Sequence, residues 1–193
     1  MNPEQHPALV RRMTAADVDR VIEIAESLSD APAWARSAYL AALNPQGSPP
    51  RIALVAEDAS GAKAPADSVG IPRGLKAPPP SEPRFPEVYT QCECDGVVGF
   101  AVASLLAPEA ELESIAVAAG FQRRGIARQL LAALTAELRA AKVTRVTEVI
   151  LEARASNQPA LALYREFGFV VSGLRTRYYQ IPVDDAVLMR LRL

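Results

Sequence analysis

Between residues 114 and 141 the chain switches its hydrophobic period within a few positions. Ser114-Ile115-Ala116-Val117-Ala118 is a short apolar run of strand type, and residues 129–141 carry a helical stripe. Phe121-Gln122-Arg123-Arg124-Gly125-Ile126-Ala127-Arg128 joins the two. A strand therefore passes through a basic, glycine-containing turn into a helix. The first N–H groups of such a helix have no intrahelical partner and lie at the positive end of its dipole, which makes the turn an anion site. Gly125 lets a ligand approach the backbone with no Cβ in the way. The turn suits the diphosphate of a coenzyme.

The surrounding pattern supplies a sheet. Ala8-Leu9-Val10-Arg11-Arg12-Met13 reads as a first strand. Thr14 then caps a helix with Val18, Val21, Ile22 and Ala25 at helical spacing and Asp17 in its first turn. A second helical piece, about 33–43, carries Trp34 and Tyr39 and stops at Asn44-Pro45. Residues 45–86 hold 10 of the 16 prolines, so only 51–57 reads as a strand there, and 58–86 reads as a loop or disordered insertion. Either 51–57 or 88–93 is the regular second strand. Val88 to Glu93 is expected to form a hairpin with Val97 to Leu105 through Asp95-Gly96.

Further on, 112–118 is a strand. Ile126, Leu130, Leu134 and Leu138, widened by Leu131, form the sheet-facing stripe of the next helix, while Gln129, Glu137 and Arg139 face water. Residues 146–153 are another strand. Ser156-Asn157 caps a short helix that ends before Gly168. Phe169-Val170-Val171 and 186–193 read as the last strands. The fold class is mixed α/β (α+β): a mostly antiparallel central sheet of about six or seven strands, flanked by about four helices, in a single domain over 1–193.

Composition excludes several functions. A net charge of −1 gives no nucleic-acid footprint. No apolar run is long enough to span a membrane, and Met1 to Pro7 lacks the regions of a signal peptide, so a cytoplasmic location is expected. Cys92 and Cys94 have no further cysteine to complete a metal site, and the one histidine is His6 near the terminus. Metal chemistry and a Ser–His or Cys–His pair are therefore not expected.

Three segments in order resemble the GNAT N-acetyltransferase superfamily. The first is Ile115-Ala116-Val117 followed by Gln122-Arg123-Arg124-Gly125-Ile126-Ala127. The second is Leu151-Glu152-Ala153-Arg154-Ala155-Ser156-Asn157. The third is Ala160-Leu161-Ala162-Leu163-Tyr164 running on to Gly168-Phe169. Within the superfamily, 152–157, Arg175-Thr176-Arg177-Tyr178-Tyr179 and Asp184-Asp185-Ala186 are most similar to the RimI-type bacterial ribosomal-protein alanine N-acetyltransferases. The likeness covers about 96–193. Ala118-Ala119-Gly120 departs from the usual acidic, proline-containing turn, Ala127 stands where glycine is commoner, and the 45–86 insertion is foreign to the pattern.

The resemblance implies a GNAT fold. It also implies transfer of acetyl from acetyl-CoA, as co-substrate, to the N-terminal α-amine of a protein by direct attack in a ternary complex. An alanine-starting ribosomal protein is the implied acceptor. The alternatives are a lysine, polyamine or small-molecule amine as acceptor, and a non-catalytic acyl-CoA sensor. The sequence does not give the oligomeric state.

Gln122 to Arg128 would hold the diphosphate, mainly through the main-chain N–H groups of Arg123 to Arg128, with Arg123 and Arg124 adding charge. Ile115, Ala116 and Val117 would pair main chain with the pantetheine arm, and Asn157 would hold it from the other side. By spacing alone Glu152 is a partly shielded strand-end carboxylate and Tyr164 a core aromatic on the face of Ala160, Leu163 and Phe167. The resemblance makes Glu152 the base and Tyr164 the acid. A buried phenol needs a hydrogen-bond partner, and its pKa near 10 suits protonation of a thiolate. Tyr178 and Tyr179 would shape the peptide pocket. Asp184 and Asp185 are either attractors of a cationic peptide or turn residues.

Overall fold

The computed structural model describes residues 8–28, 34–58, 96–140 and 146–193. The strands are β1 (Ala8–Arg12), β2 (Arg51–Asp58), β3 (Val97–Leu106), β4 (Glu109–Val117), β5 (Glu148–Arg154), β6 (Val170–Gln180) and β7 (Val183–Arg192). They form a single seven-stranded sheet in the order β1-β2-β3-β4-β5-β7-β6. Every neighbouring pair is antiparallel except β4–β5, which is parallel. The helices are α1 (Val18–Glu26), α2 (Arg36–Ala42), α3 (Ile126–Ala140) and α4 (Gln158–Phe167). This is the mixed, mostly antiparallel architecture that the sequence predicts.

Strand alternation assigns the helices to faces. Leu54, Ala101, Leu112, Leu151 and Met189 are buried with the α3 stripe (Ile126, Leu130, Leu131, Leu134, Leu138) and with Leu161 and Tyr164 of α4. Ala53, Val55, Phe100, Val102 and Ala116 point the other way. They are buried with Val18, Val21 and Ile24 of α1 and Tyr39 of α2. Each fully buried leucine of the α3 stripe contributes roughly 2 kcal/mol. Gln129 and Glu137, expected to face water, do not. The helix lies across the sheet as far as its edge, so Gln129 Oε1 accepts the Ala8 N–H at 3.2 Å and Glu137 pairs with Arg12.

The expected hairpin of 88–93 with 97–105 is corrected by the pairing of β3. One edge of β3 is taken by β2 (Glu57 opposite Val97 through Arg51 opposite Ser104) and the other by β4. β2 is thus the regular second strand, while 88–93 and nearly all of 58–86 lie outside the described residues. The first helix also starts differently. A 3-10 turn over Ala15–Asp17 precedes α1. The Asp17 carboxylate, buried, accepts the Thr14 N–H and hydroxyl at 2.7 and 2.9 Å and a forked pair from Arg11 at 2.7 and 2.8 Å. Arg11 also reaches Glu57 of β2, which ties the helix start to two strands.

β6 is longer than Phe169-Val170-Val171 suggests because it contains a wide bulge. Arg175 pairs with Ala186 and Tyr179 with Asp184, so 176–178 stand opposite Asp185 alone. Such a bulge interrupts alternation and re-aims side chains. Here it carries Tyr178.

Candidate active site

The parallel neighbours β4 and β5 are paired only at Glu109–Glu148, Ala110–Val149 and Glu111–Ile150. Beyond that point no ladder joins them, and β4 runs on to Val117 and β5 to Arg154 as two separate arms. A cleft of about 1060 Å³ opens between them. The stretches 115–117 and 122–128, together with Asn157, Glu152 and Tyr164, all line it. The cleft passes through the sheet. The 122–128 turn and α4 lie on the α3/α4 face. Glu152 alternates with the buried Leu151 and Ala153 and so belongs to the opposite face.

The basic turn is built from unusual backbone. Gln122 is extended and its Nε2 donates to the Val117 carbonyl at 3.0 Å. Arg123 has φ 62° and Gly125 φ 81°. The Arg124 guanidinium lies 5.0 Å over the Phe121 ring. The positive φ of Gly125 favours glycine, and a Cβ built there meets nothing within 4 Å, so the space beside the turn is open. At the far end of the β4 arm, Gly99 of β3 allows close approach: a Cβ there falls 2.9 Å from the Ala116 carbonyl oxygen.

Asn157 caps α4, its Oδ1 accepting the Ala160 N–H at 3.1 Å. Among the described residues its side-chain N–H₂ has no protein partner. Tyr164 is buried against Phe169, with ring centroids 5.6 Å apart. Burial first, then the neighbouring Tyr179, pushes its phenol above the ordinary range, so it stays proton-bearing. The expected hydrogen-bond partner is not found: among the described residues the Tyr164 hydroxyl makes none, and the side chain lines the cleft.

Glu152 is half-buried and paired with Arg175, Nη1 to Oε1 at 2.7 Å. Tyr178 and Tyr179, rings 5.2 Å apart, wall the same opening. The Arg154 guanidinium lies 4.0 Å over the Tyr179 ring and donates to the Ile181 and Pro182 carbonyls at 3.2 Å. Asp184 and Asp185 are strand residues near the start of β7, not turn residues. Asp184 accepts from Ser156 N–H and hydroxyl at 3.2 and 2.6 Å, Asp185 accepts the Arg177 N–H at 2.7 Å, and neither lines the cleft.

Sequence reasoning missed Glu111 and the Arg175 partner of Glu152. Glu111 is a half-buried cleft residue. Burial first, then Glu113 and Glu152, pushes its carboxyl above the ordinary range, against the opposing pull of Arg175. The signal was the alternation Glu109, Glu111, Glu113 just before the apolar run, which a strand starting at Leu112 leaves out.

The profile of the Acetyltransferase (GNAT) family matches residues 73–169, half of the chain, and the chain belongs to that family. In sequence it is 40% identical over 99 residues to the [Ribosomal protein bS18]-alanine N-acetyltransferase of Salmonella typhimurium, a stretch covering 50% of this chain and 65% of that protein. It is 44% identical over 82 residues to N-alpha-acetyltransferase RimI of Mycobacterium tuberculosis, covering 42% of this chain and 48% of that one. In fold it is similar to the ribosomal-protein-S18-alanine N-acetyltransferase of Escherichia coli. That match has a TM-score of 0.66 and 23% identity, over 96% of this chain and 94% of that one. Among the described residues no helix is long and apolar enough to cross a membrane.

Proposed function

We propose that this protein transfers an acetyl group from acetyl-CoA to the N-terminal α-amine of a protein, and that its acceptor is an alanine-starting ribosomal protein of the kind its relatives are named for. We also propose that it acts in the cytoplasm as a single acetyltransferase domain spanning 1–193. The observation that carries the reading is the cleft through the sheet, with the basic turn on one face and Glu152 on the other.

The residues present fit the donor. The 122–128 turn offers helix-terminal N–H groups and arginine charge beside the open space at Gly125, which suits a diphosphate. The β4 arm at 115–117, paired with β3 but open on its β5 side, offers main-chain groups to an extended pantetheine chain, and the Asn157 amide faces the same need. When bound, acetyl-CoA supplies an activated acyl group as a thioester. An α-amine has a pKa near 8 and attacks only when neutral. Glu152, held by Arg175, takes the proton directly or through a water. As the C–N bond forms and the C–S bond breaks, Tyr164 gives its proton to the departing sulfur. Its raised pKa keeps the phenol protonated until the thiolate forms, and makes it a weaker acid than an exposed tyrosine.

The test is acetyl-CoA turnover against short peptides with different first residues, with a lysine peptide and spermidine as contrasts. Preferential turnover of the alanine-starting peptide is expected. Preference for lysine or spermidine overturns the acceptor assignment, and acetyl-CoA binding without turnover of any amine overturns catalysis.

A further inference from the structure

The acceptor-facing side of the cleft contains three carboxylates, and two of them are neutralised within the protein. Glu113 is bound by Arg51 through two hydrogen bonds of 2.8 and 3.0 Å, and Glu152 is paired with Arg175. Glu111 has neither an ion pair nor a hydrogen bond among the described residues, although it is half-buried and lines the cleft. It sits at the last β4–β5 pair before the arms part, opposite Ile150. Glu152 is two residues beyond Ile150, so the two carboxylates share a face.

A second buried polar group points the same way. Ser114 is 4% exposed, lines the cleft, and its Oγ has no hydrogen-bond partner. Plain alternation would put Glu111 and Ser114 on opposite faces. A bulge at Glu113 changes that. Val102 of β3 stands opposite Ser114, and Ala103 opposite Leu112, so Glu113 is the extra residue. Glu111 pairs with Ser104 and Ser114 with Val102, two positions apart on β3, so both occupy the face of Glu152. An unpaired carboxylate and an unpartnered hydroxyl on one wall are costly to leave unmet, and a cationic hydrogen-bond donor satisfies both.

We propose that Glu111 is a specificity-determining residue that receives the acceptor's ammonium group where β4 and β5 part, with Ser114 Oγ accepting a second hydrogen bond from the same group. The inference rests on the amine-acceptor reading above and adds the residues that distinguish a cationic amine from its neutral product. An α-amine is largely protonated near neutral pH, so it arrives as a cation. Once acetylated it has no charge left for Glu111 to hold. Glu111 thus separates substrate from product by charge, apart from the proton transfer assigned to Glu152.

The experiment titrates an alanine-starting hexapeptide and its Nα-acetylated form, in the presence of CoA, into wild type, Glu111→Gln and Ser114→Ala, and measures KM and kcat for the free peptide. Wild type is expected to bind the free amine about tenfold more tightly than the acetylated form, the scale of one charge-assisted hydrogen bond. Glu111→Gln is expected to abolish that preference and raise KM about tenfold, with acetyl-CoA affinity unchanged. Ser114→Ala is expected to weaken the free amine alone, by a few-fold. Equal binding of both forms by wild type overturns the proposal, as does an unchanged preference in Glu111→Gln or a fall in kcat with KM unchanged. Because titration needs no turnover, an enzyme that binds the free amine selectively but fails to acetylate it sinks the acyl-transfer reading and leaves this one standing.

Discussion

Glu152 and Tyr164 reach the cleft from different sides of the sheet, one held by Arg175 and the other enclosed by the α3/α4 core. Their substitutions should therefore separate cleanly from donor binding. Glu152→Gln keeps the shape and removes the proposed base, so kcat should fall roughly 10²- to 10⁴-fold while acetyl-CoA affinity holds. Tyr164→Phe removes a hydroxyl that has no partner among the described residues, so it orphans no buried group there. Its kcat should drop while its melting temperature stays within about 2 °C of wild type. Steady-state kinetics with calorimetric acetyl-CoA titration checks both, and an unchanged kcat for either variant removes that residue from the chemistry.

At the scale of the elements, Asp17 joins the start of α1 to β1 and β2. Burial alone would raise its carboxyl, but the bonds from Arg11 and Thr14 outweigh that and hold it below the ordinary 3.8. A depressed folded pKa means the stabilisation is fully present above the unfolded value and is lost as pH falls through the folded one. Wild type should thus lose stability below about pH 4, and Asp17→Asn should flatten that part of the curve. Urea unfolding across the acid range measures it, and an identical slope in both proteins refutes it. The elements themselves were largely legible. The α3 stripe, the Gly125 turn and the Asn157 cap are written in spacings of three or four residues. The Arg175–Glu152 pair, the Glu113 bulge and the roles of Gln129 and Glu137 were not. Each depends on the register of strands or helices far apart in sequence, such as β6 reaching β5 only across β7.

Across the whole molecule, the sheet closes over the long connection between β2 and β3. Glu57 stands opposite Val97, and the Asp58 N–H reaches the Gly96 carbonyl at 2.9 Å. Deleting 59–86 shortens that connection from 37 residues to nine, about two halvings, which favours folding by about 1 kcal/mol through loop closure. The shortened chain should fold, melt no lower than wild type and still bind acetyl-CoA. Failure to fold would show that 59–86 is part of the framework. The sequence hid this arrangement because proline and glycine content marks where regular structure stops but not which strands the break connects.

The parting of β4 and β5 gives the protein two entrances that share a floor. On the proposed reading the coenzyme arrives over the α3 and α4 termini, and the amine from the face bearing Glu111 and Glu152. Traffic through one leaves the other clear. Under that proposal, an acceptor far larger than this protein would need to thread only its first residues inward, with its bulk outside and spent coenzyme leaving by the other face.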